Sequence, residues 1–501
     1  MKLVVLAGLS LAACAVPSSD PAPSTSAPLV MTAGFADRVA NIVAKRPAPP
    51  PGAFCTSGLA RCFIRGQVDE NGNRIHGVAD PAGMTDNWGA TDLESAYAIP
   101  VSNDTQATVA IVDAYGYSAL ESDLATYRQM YNLPACGTSD GCLKIVDQNG
   151  GNNLPADNSD WIGETSLDVD MVSAGCPSCK ILVVQATDDS SDGLFVAVKT
   201  AASMGATVIS NSWGYDESDL DEAFQVTVAQ AEPYMDHPGI AVFVATGDDG
   251  YNDGGMGPDY PGTSAYSIGV GGTSLSKTTS GSRAWSEKAW SDGGAACSLS
   301  ITMPSWQSST SSCTMRMTSD VSAVGDPNTG VAVYDSDDGG WEVVGGTSAA
   351  SPLTASIFAL TNNGNRTAQF AYQNAAAFND VTSGKDGTCG AKLCTAGSGW
   401  DGPTGIGTPN GTALAALGGG NGSGSGSGSN MGSGSDSGSG SNMGSGSDDN
   451  NGSGSGSDDG NGDNGDGNSG GGGGCNVAGG SGAATFLFAL GLALVRRRRR
   501  A

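Results

Sequence analysis

Lys180-Ile181-Leu182-Val183-Val184-Gln185 is followed by an amphipathic stretch from Leu194 to Met204 and then by Thr207-Val208-Ile209-Ser210. An apolar run of strand length, a helix-period stretch and a second apolar run spell one βαβ unit, whose strands lie parallel in one sheet. Runs this continuous suit strands covered on both faces. The same text recurs in both directions. Upstream lie Ala107 to Val112 and the helical patterns Ser118 to Met130 and Trp161 to Ala174; downstream lie the helical pattern Leu220 to Ala231, the runs Ile240 to Ala245 and Ser267 to Val270, and a last helix opening near Ser348. The expected fold is α/β, a three-layer sandwich with a largely parallel central sheet. Sites in such folds gather beyond the carboxyl ends of the strands.

Outside residues 85–417 the composition changes. Residues 1–14 look like a signal segment, with Lys2 ahead of an apolar run and Leu11-Ala12-Ala13-Cys14 in the manner of a bacterial lipobox. Residues 15–84 form a Pro/Ser-rich linker and a short Cys-containing N-terminal region. Residues 418–474 are Gly, Ser, Asn and Asp, a composition that cannot bury enough surface to fold. Residues 475–501 open at Cys475 and carry an apolar run to Val495 and five arginines, resembling the MYXO-CTERM type of sorting tail. That run is short of the about 20 apolar residues a membrane span needs. Export to the cell envelope, outer surface or medium is the expectation, and either a lipid on Cys14 or the tail would offer membrane attachment.

The formal charge of −28, from 51 acidic against 23 basic residues, would repel a phosphate backbone and excludes nucleic acid as a partner. Setting aside Cys14 and Cys475, ten of the 12 cysteines fall into couples close in sequence: Cys55 and Cys62, Cys136 and Cys142, Cys176 and Cys179, Cys297 and Cys313, Cys389 and Cys394. An even count in an exported chain favours disulfides over metal thiolates, and no second CxxC or paired histidine accompanies Cys176-Pro-Ser-Cys179. Their pairing stays open at this point.

Gly345-Gly346-Thr347-Ser348-Ala349-Ala350-Ser351-Pro352 reads as a tight glycine turn feeding a helix. Such a turn sets a serine oxygen beside the N–H groups of a helix N-terminus, where an oxyanion can be stabilised. The string is shared by the subtilisin and sedolisin families of serine peptidases. A subtilisin triad needs a histidine base, and this chain has only His76, ahead of the first strand, and His237, in Asp236-His237-Pro238. Neither stands in a suitable context. A base is offered instead by Glu164 and Asp168, which share a helical face at i,i+4.

The surrounding Gly163-Glu164-Thr165-Ser166-Leu167-Asp168-Val169-Asp170 is similar to the sedolisin helix, and Gly247-Asp248-Asp249-Gly250 to the sedolisin oxyanion turn. The resemblance extends over most of residues 92–411 and implies a subtilisin-like fold. It also implies Ser348 as nucleophile, Glu164 as base, Asp168 as the residue orienting it, and Asp248, kept protonated, as oxyanion donor, with Asp249 its fallback. Ser212-Trp213-Gly214 resembles the strand end that pairs with substrate backbone. Asp113 sits where a subtilisin triad Asp would, and is read as structural or supporting. Asp380, Val381, Gly397, Gly399 and Asp401 resemble the ligands of one structural Ca²⁺, which accepts about 6 to 8 oxygens.

The function expected from this resemblance is a serine-carboxyl endopeptidase acting on protein or peptide substrates as a monomer. Its alternatives are a tripeptidyl exopeptidase, or a catalytically silent display or adhesion protein. A glutamate base of ordinary pKa, about 4.3, would be ionised well below pH 6, so activity in acid is expected. Fewer than about 80 residues separate Cys14 from the catalytic start, a length at which independent folding is marginal, so removal of a large folded prodomain is not expected.

Overall fold

The structure, a computed structural model, describes residues 33–418 apart from 77–86, 226, 280, 282 and 308–312. The chain divides into Met1–Gly424 and Ser425–Ala501. The described residues all belong to the first unit; the signal segment with Cys14, the Gly/Ser/Asn/Asp-rich linker and the C-terminal tail lie outside them. Among the described residues, no helix is long and apolar enough to cross a membrane.

One sheet organises the unit. Its strands run in the order Trp285–Ala289, Ser267–Lys277, Ala241–Ala245, Val208–Asn211, Thr108–Ala114, Lys180–Ala186 and Leu143–Asp147, with Val321–Val324 also paired to Ser267–Lys277. All neighbours are parallel except Trp285–Ala289, which is antiparallel. Val109 to Val112 and Ala241 to Ala245 are buried at every position, so both faces are covered, as unbroken apolar runs require. The mixed α/β architecture with a largely parallel sheet is as expected.

Two helices carry the site. Ser159–Gly175 is buried from Trp161 onward, and its N-cap Asn158 accepts from the Asp160 N–H at 3.0 Å. It packs along Thr347–Leu360, also buried throughout, which lies over the parallel strands. A helix apolar on one stripe would show water its other side; these two show it none beyond the first two residues of Ser159–Gly175.

Two elements differ from expectation. The helix foreseen from Leu220 to Ala231 is two, Glu217–Phe224 and Val228–Ala231, because Gln225 turns left-handed at φ 57° and Thr227 starts a new cap, its N–H donating to Gln230 Oε1 at 2.8 Å. The strand foreseen at Ser267 to Val270 continues to Lys277 because Trp285–Ala289 returns along it. The ten cysteines pair within their couples: Cys55–Cys62, Cys136–Cys142, Cys176–Cys179, Cys297–Cys313 and Cys389–Cys394.

Residues 33–76 do not form a separate body. Helix Phe35–Val43 packs on Glu217–Phe224, and two short strands, Arg61–Cys62 and Arg65–Gly66, are added to Trp213–Asp216 and Gly340–Gly345. We call this segment the strap.

Candidate active site

The parallel strands deliver the polar residues. Asp113 stands at the carboxyl end of Thr108–Ala114, Ser212 just past Val208–Asn211, and Asp248 three residues past Ala241–Ala245. Gly346, at φ 99°, turns the chain from strand Gly340–Gly345 into the serine helix, which starts at Thr347. No side chain fits there: a Cβ on Gly346 would run into the Phe63 carbonyl oxygen and come within 2.7 Å of Asp248 Oδ2.

Ser348 Oγ donates to the Ser212 carbonyl at 3.3 Å. Glu164 and Asp168 lie behind it, fully buried. Asp168 Oδ1 accepts from Ser212 Oγ at 2.7 Å, while Asp168 Oδ2 and both Glu164 oxygens have no hydrogen-bond partner. Burial, reinforced by the Asp168 and Asp113 charges, pushes Glu164 well above the usual carboxyl range, and the nearby Ser348 hydroxyl opposes this only in part. Burial and then Asp113 push Asp168 up as well. Asp113 is itself raised to about 7 by burial, and its two oxygens are also unpartnered. The ordinary pKa expected for Glu164 is therefore corrected: three buried carboxyls lie close together with no Lys or Arg paired to them among the described residues, so charge there is scarce.

Asp248 completes the group. Its Oδ1 accepts from the Thr347 N–H and hydroxyl, both at 2.8 Å, which leaves Oδ2 facing Gly346. Burial raises its pKa to about 7, with Arg65 and Thr347 opposing. Below that value Oδ2 can hold a proton and donate it in a hydrogen bond. The fallback residue Asp249 turns instead to Arg65, whose Nη2 donates to it at 2.7 Å. His237 lies before the amino end of the strand whose other end precedes Asp248, its Nε2 bonded to the Tyr234 carbonyl at 2.9 Å. His76 is exposed beside Asp338.

The strap crosses the serine. Arg61 pairs with Gly214 and Cys62 with Trp213, antiparallel, and the Phe63 N–H donates to the Ser212 carbonyl at 3.1 Å. The Ser348 N–H then donates to the Phe63 carbonyl at 3.3 Å, after which Arg65 pairs with Gly345 and Gly66 with Val344. A Cβ on Gly214 would stand 2.8 Å from the Phe63 ring, so this glycine opens the space the ring fills. Trp213 takes part through its backbone, since its indole donates to the Val112 carbonyl in the core at 2.8 Å. Sequence reading did not find Phe63 or its neighbours. The segment has weak periodicity, and its strand partners lie about 150 and 280 residues away.

Of the loop residues expected to hold a cation, Asp380, Gly397, Gly399 and Asp401 are brought together. Asp380 Oδ2 accepts from the Gly399 N–H at 3.0 Å and Asp401 Oδ2 from the Gly397 N–H at 2.9 Å. Among the described residues no backbone N–H donates to the carbonyls of Val381, Gly397 or Gly399. Two carboxylates tied to the Gly397 and Gly399 backbone supply hard oxygens of the kind calcium takes.

A largely parallel α/β sheet with a glycine-entered helix carrying Ser348 defines a subtilisin-like fold, with buried carboxyls on both sides of that serine. The Subtilase family matches residues 149–387. Kumamolisin from Bacillus sp. (strain MN-32) is 30% identical over 353 residues, covering 64% of this chain and 62% of that protein. Sedolisin from Pseudomonas sp. (strain 101) is 28% identical over 374 residues, 67% of this chain and 62% of that protein. The chain thus spans under two thirds of the length of these relatives. The solved structure of Pseudomonas sedolisin (serine-carboxyl proteinase) complexed with two molecules of pseudo-iodotyrostatin is similar at TM-score 0.58 and 26% identity, over 67% of this chain and 98% of that chain. These likenesses support a serine-type peptidase.

Proposed function

We propose that the chain is an exported serine-carboxyl endopeptidase that cleaves protein or peptide substrates through an acyl intermediate on Ser348. The observation carrying this is the Phe63 carbonyl held by the Ser348 N–H, with Asp248 Oδ2 beside the same glycine and Glu164 and Asp168 behind the serine. In this reading Glu164 takes the Ser348 proton as the hydroxyl attacks, and Asp168 positions Glu164. The oxyanion is met by the Ser348 N–H and protonated Asp248. Ser212 and Gly214 bind the substrate backbone as an added strand. A polypeptide running unbroken through the cleft on both sides of the serine favours endopeptidase over tripeptidyl exopeptidase activity. Five disulfides support an oxidising, exported setting.

Acid activity is part of the proposal, with its upper limit set by Asp248 and its lower limit set by the first ionisation of the Asp113, Glu164 and Asp168 group, which burial delays and which Glu164 needs to act as base. Its proton is held below about pH 7 and lost above it, so kcat/KM falls through that region. Ser348→Ala should abolish peptide hydrolysis while leaving the melting temperature in place. Asp248→Asn keeps a non-titrating donor and should flatten the alkaline limb at a lower maximum rate. An optimum near pH 8 with no acid activity would sink the assignment.

We propose one structural Ca²⁺ held by the Asp380 and Asp401 carboxylates and the carbonyls of Val381, Gly397 and Gly399. Asp401, raised to about 6 chiefly by burial, would be held ionised by the ion. A cation that binds only the folded loop stabilises it by mass action, so chelator should lower the melting temperature. Asp401→Ala should remove that response.

A further inference from the structure

A second group of buried carboxyls stands beside the cleft, outside the proposed reaction. Asp216 ends the strand Trp213–Asp216, Asp259 pairs with it from Asp259–Tyr260, and Asp253 comes from the loop before. All three are at most 4% exposed. One guanidinium enters among them: Arg61 Nη2 lies 2.7 Å from Asp253, 2.8 Å from Asp259 and 3.6 Å from Asp216, with Nη1 3.5 Å from the partly exposed Asp249. An ordinary ion pair needs one carboxylate. Three buried around one cation leave surplus negative charge where burial makes it costly, and Asp216 Oδ1 and Asp253 Oδ1 have no hydrogen-bond partner even so. The pocket has more acidity than Arg61 alone requires.

The second observation is how the cation arrives. Arg61 is carried on backbone paired antiparallel with Gly214, two residues ahead of the carbonyl that meets the Ser348 N–H. That is the posture of a bound substrate, and the side chain falls into the acidic pocket from it.

We propose that the pocket of Asp216, Asp253 and Asp259 is a specificity subsite for a basic side chain two residues upstream of the attacked carbonyl. Arg61 is then its intramolecular occupant, and Phe63–Ile64 is the bond presented to Ser348. This rests on the peptidase reading above. In the step, Ser348 Oγ bonds to the Phe63 carbonyl carbon, the bond from that carbon to the Ile64 nitrogen breaks, and that nitrogen receives the serine's proton by way of Glu164. Water then releases Phe63 as a free acid and restores the serine hydroxyl. The Cys55–Cys62 disulfide closes within the amino-terminal product, whose Arg61 and Arg46, the latter 3.1 Å from Asp219, keep it tied to the cleft. Ile64 stays joined to the body of the chain. The substrate class is thus a peptide of the form basic, any residue, aromatic, then the cut.

The test uses the full chain, following its own cleavage by mass spectrometry and its action on two quenched hexapeptides, Ala-Arg-Ala-Phe-Ile-Arg and Ala-Glu-Ala-Phe-Ile-Arg. The expected result is a cut between Phe63 and Ile64 that is absent in Ser348→Ala, slowed at least about tenfold in Arg61→Glu and preserved in Arg61→Lys. Should Arg61→Glu fail to fold, the peptides decide with the wild-type chain, where the arginine peptide should have at least about tenfold the kcat/KM of its glutamate partner. Equal rates on the two peptides, or a Ser348-dependent cut elsewhere in the strap, overturn the subsite while leaving the peptidase reading intact. No hydrolysis of either peptide or of casein overturns the peptidase reading and the subsite with it.

Discussion

Two groups of buried carboxyls flank the strap, and they differ in whether a cation reaches them. Among the described residues no cation pairs with Asp113, Glu164 or Asp168; burial raises all three, and neighbouring carboxylates raise Glu164 and Asp168 further. Asp216, Asp253 and Asp259 are also raised by burial, but Arg61 pulls each of them down. Burial favours the protonated carboxyl in both places, and only in the second does a guanidinium oppose it. What differs is whether a guanidinium can reach it, and that depends on the strap. A group meant to exchange protons must keep its pKa within reach of the solution, whereas a group meant to bind a cation must stay ionised.

The largest test of this contrast is Glu164→Gln. It keeps the shape and removes the proton acceptor, so peptide hydrolysis should fall by about 10³-fold, within the range general-base catalysis supplies. Its melting temperature should hold or rise, because no charge has to be buried. A variant that kept its rate would mean that the first group is only structural.

Arg61→Met should do the reverse. Breaking a buried ionic group from one side costs about 3–5 kcal/mol, because the partners are left uncompensated. The loss should appear in denaturant titration at neutral pH and shrink in acid, where the three aspartates can take protons. If it were equally large at pH 5 and pH 8, the packing of the strap would matter more than its charge.

The smallest effect is the pH dependence of stability itself. Asp113, Asp216 and Asp248 are raised to about 7, and Glu342 and Asp386 to about 8, all by burial first. In the unfolded chain such groups ionise near pH 4. The folded state therefore holds more protons between about pH 4 and 8, and stability present below pH 4 is lost as pH rises through that window. Melting followed in calcium-saturated buffer should fall by several degrees from pH 5 to pH 8. A rise would show that these carboxyls are ionised in the folded protein.

Much of this was legible without coordinates, for particular reasons. The apolar runs at Thr108–Ala114, Lys180–Ala186 and Ala241–Ala245 are strands because a sheet covered on both faces accepts nothing else. Ser348, Glu164 and Asp248 stand in short local frames, Gly-Thr-Ser, Gly-Glu-Thr and Gly-Asp-Asp, whose turn or helix is written in adjacent residues. Asp170, two positions from Asp168, faces elsewhere: its Oδ2 accepts from the Tyr334 N–H at 3.1 Å.

Sequence by itself thus determined the sheet, the serine's glycine turn and the acidic face of one helix, since each follows from periodicity or from a few consecutive residues. Tertiary structure alone decided what those groups experience. The pKa of Glu164 depends on Asp113, 51 positions away and brought near by the sheet. Asp216, Asp253 and Asp259 become a pocket only because two short strands pair across the cleft edge. The strap between Cys55 and Gly66 pairs with partners far along the chain through backbone hydrogen bonds, which no side-chain pattern encodes. Burial and long-range pairing are properties of the folded whole, and they set the charges on which the proposed chemistry depends.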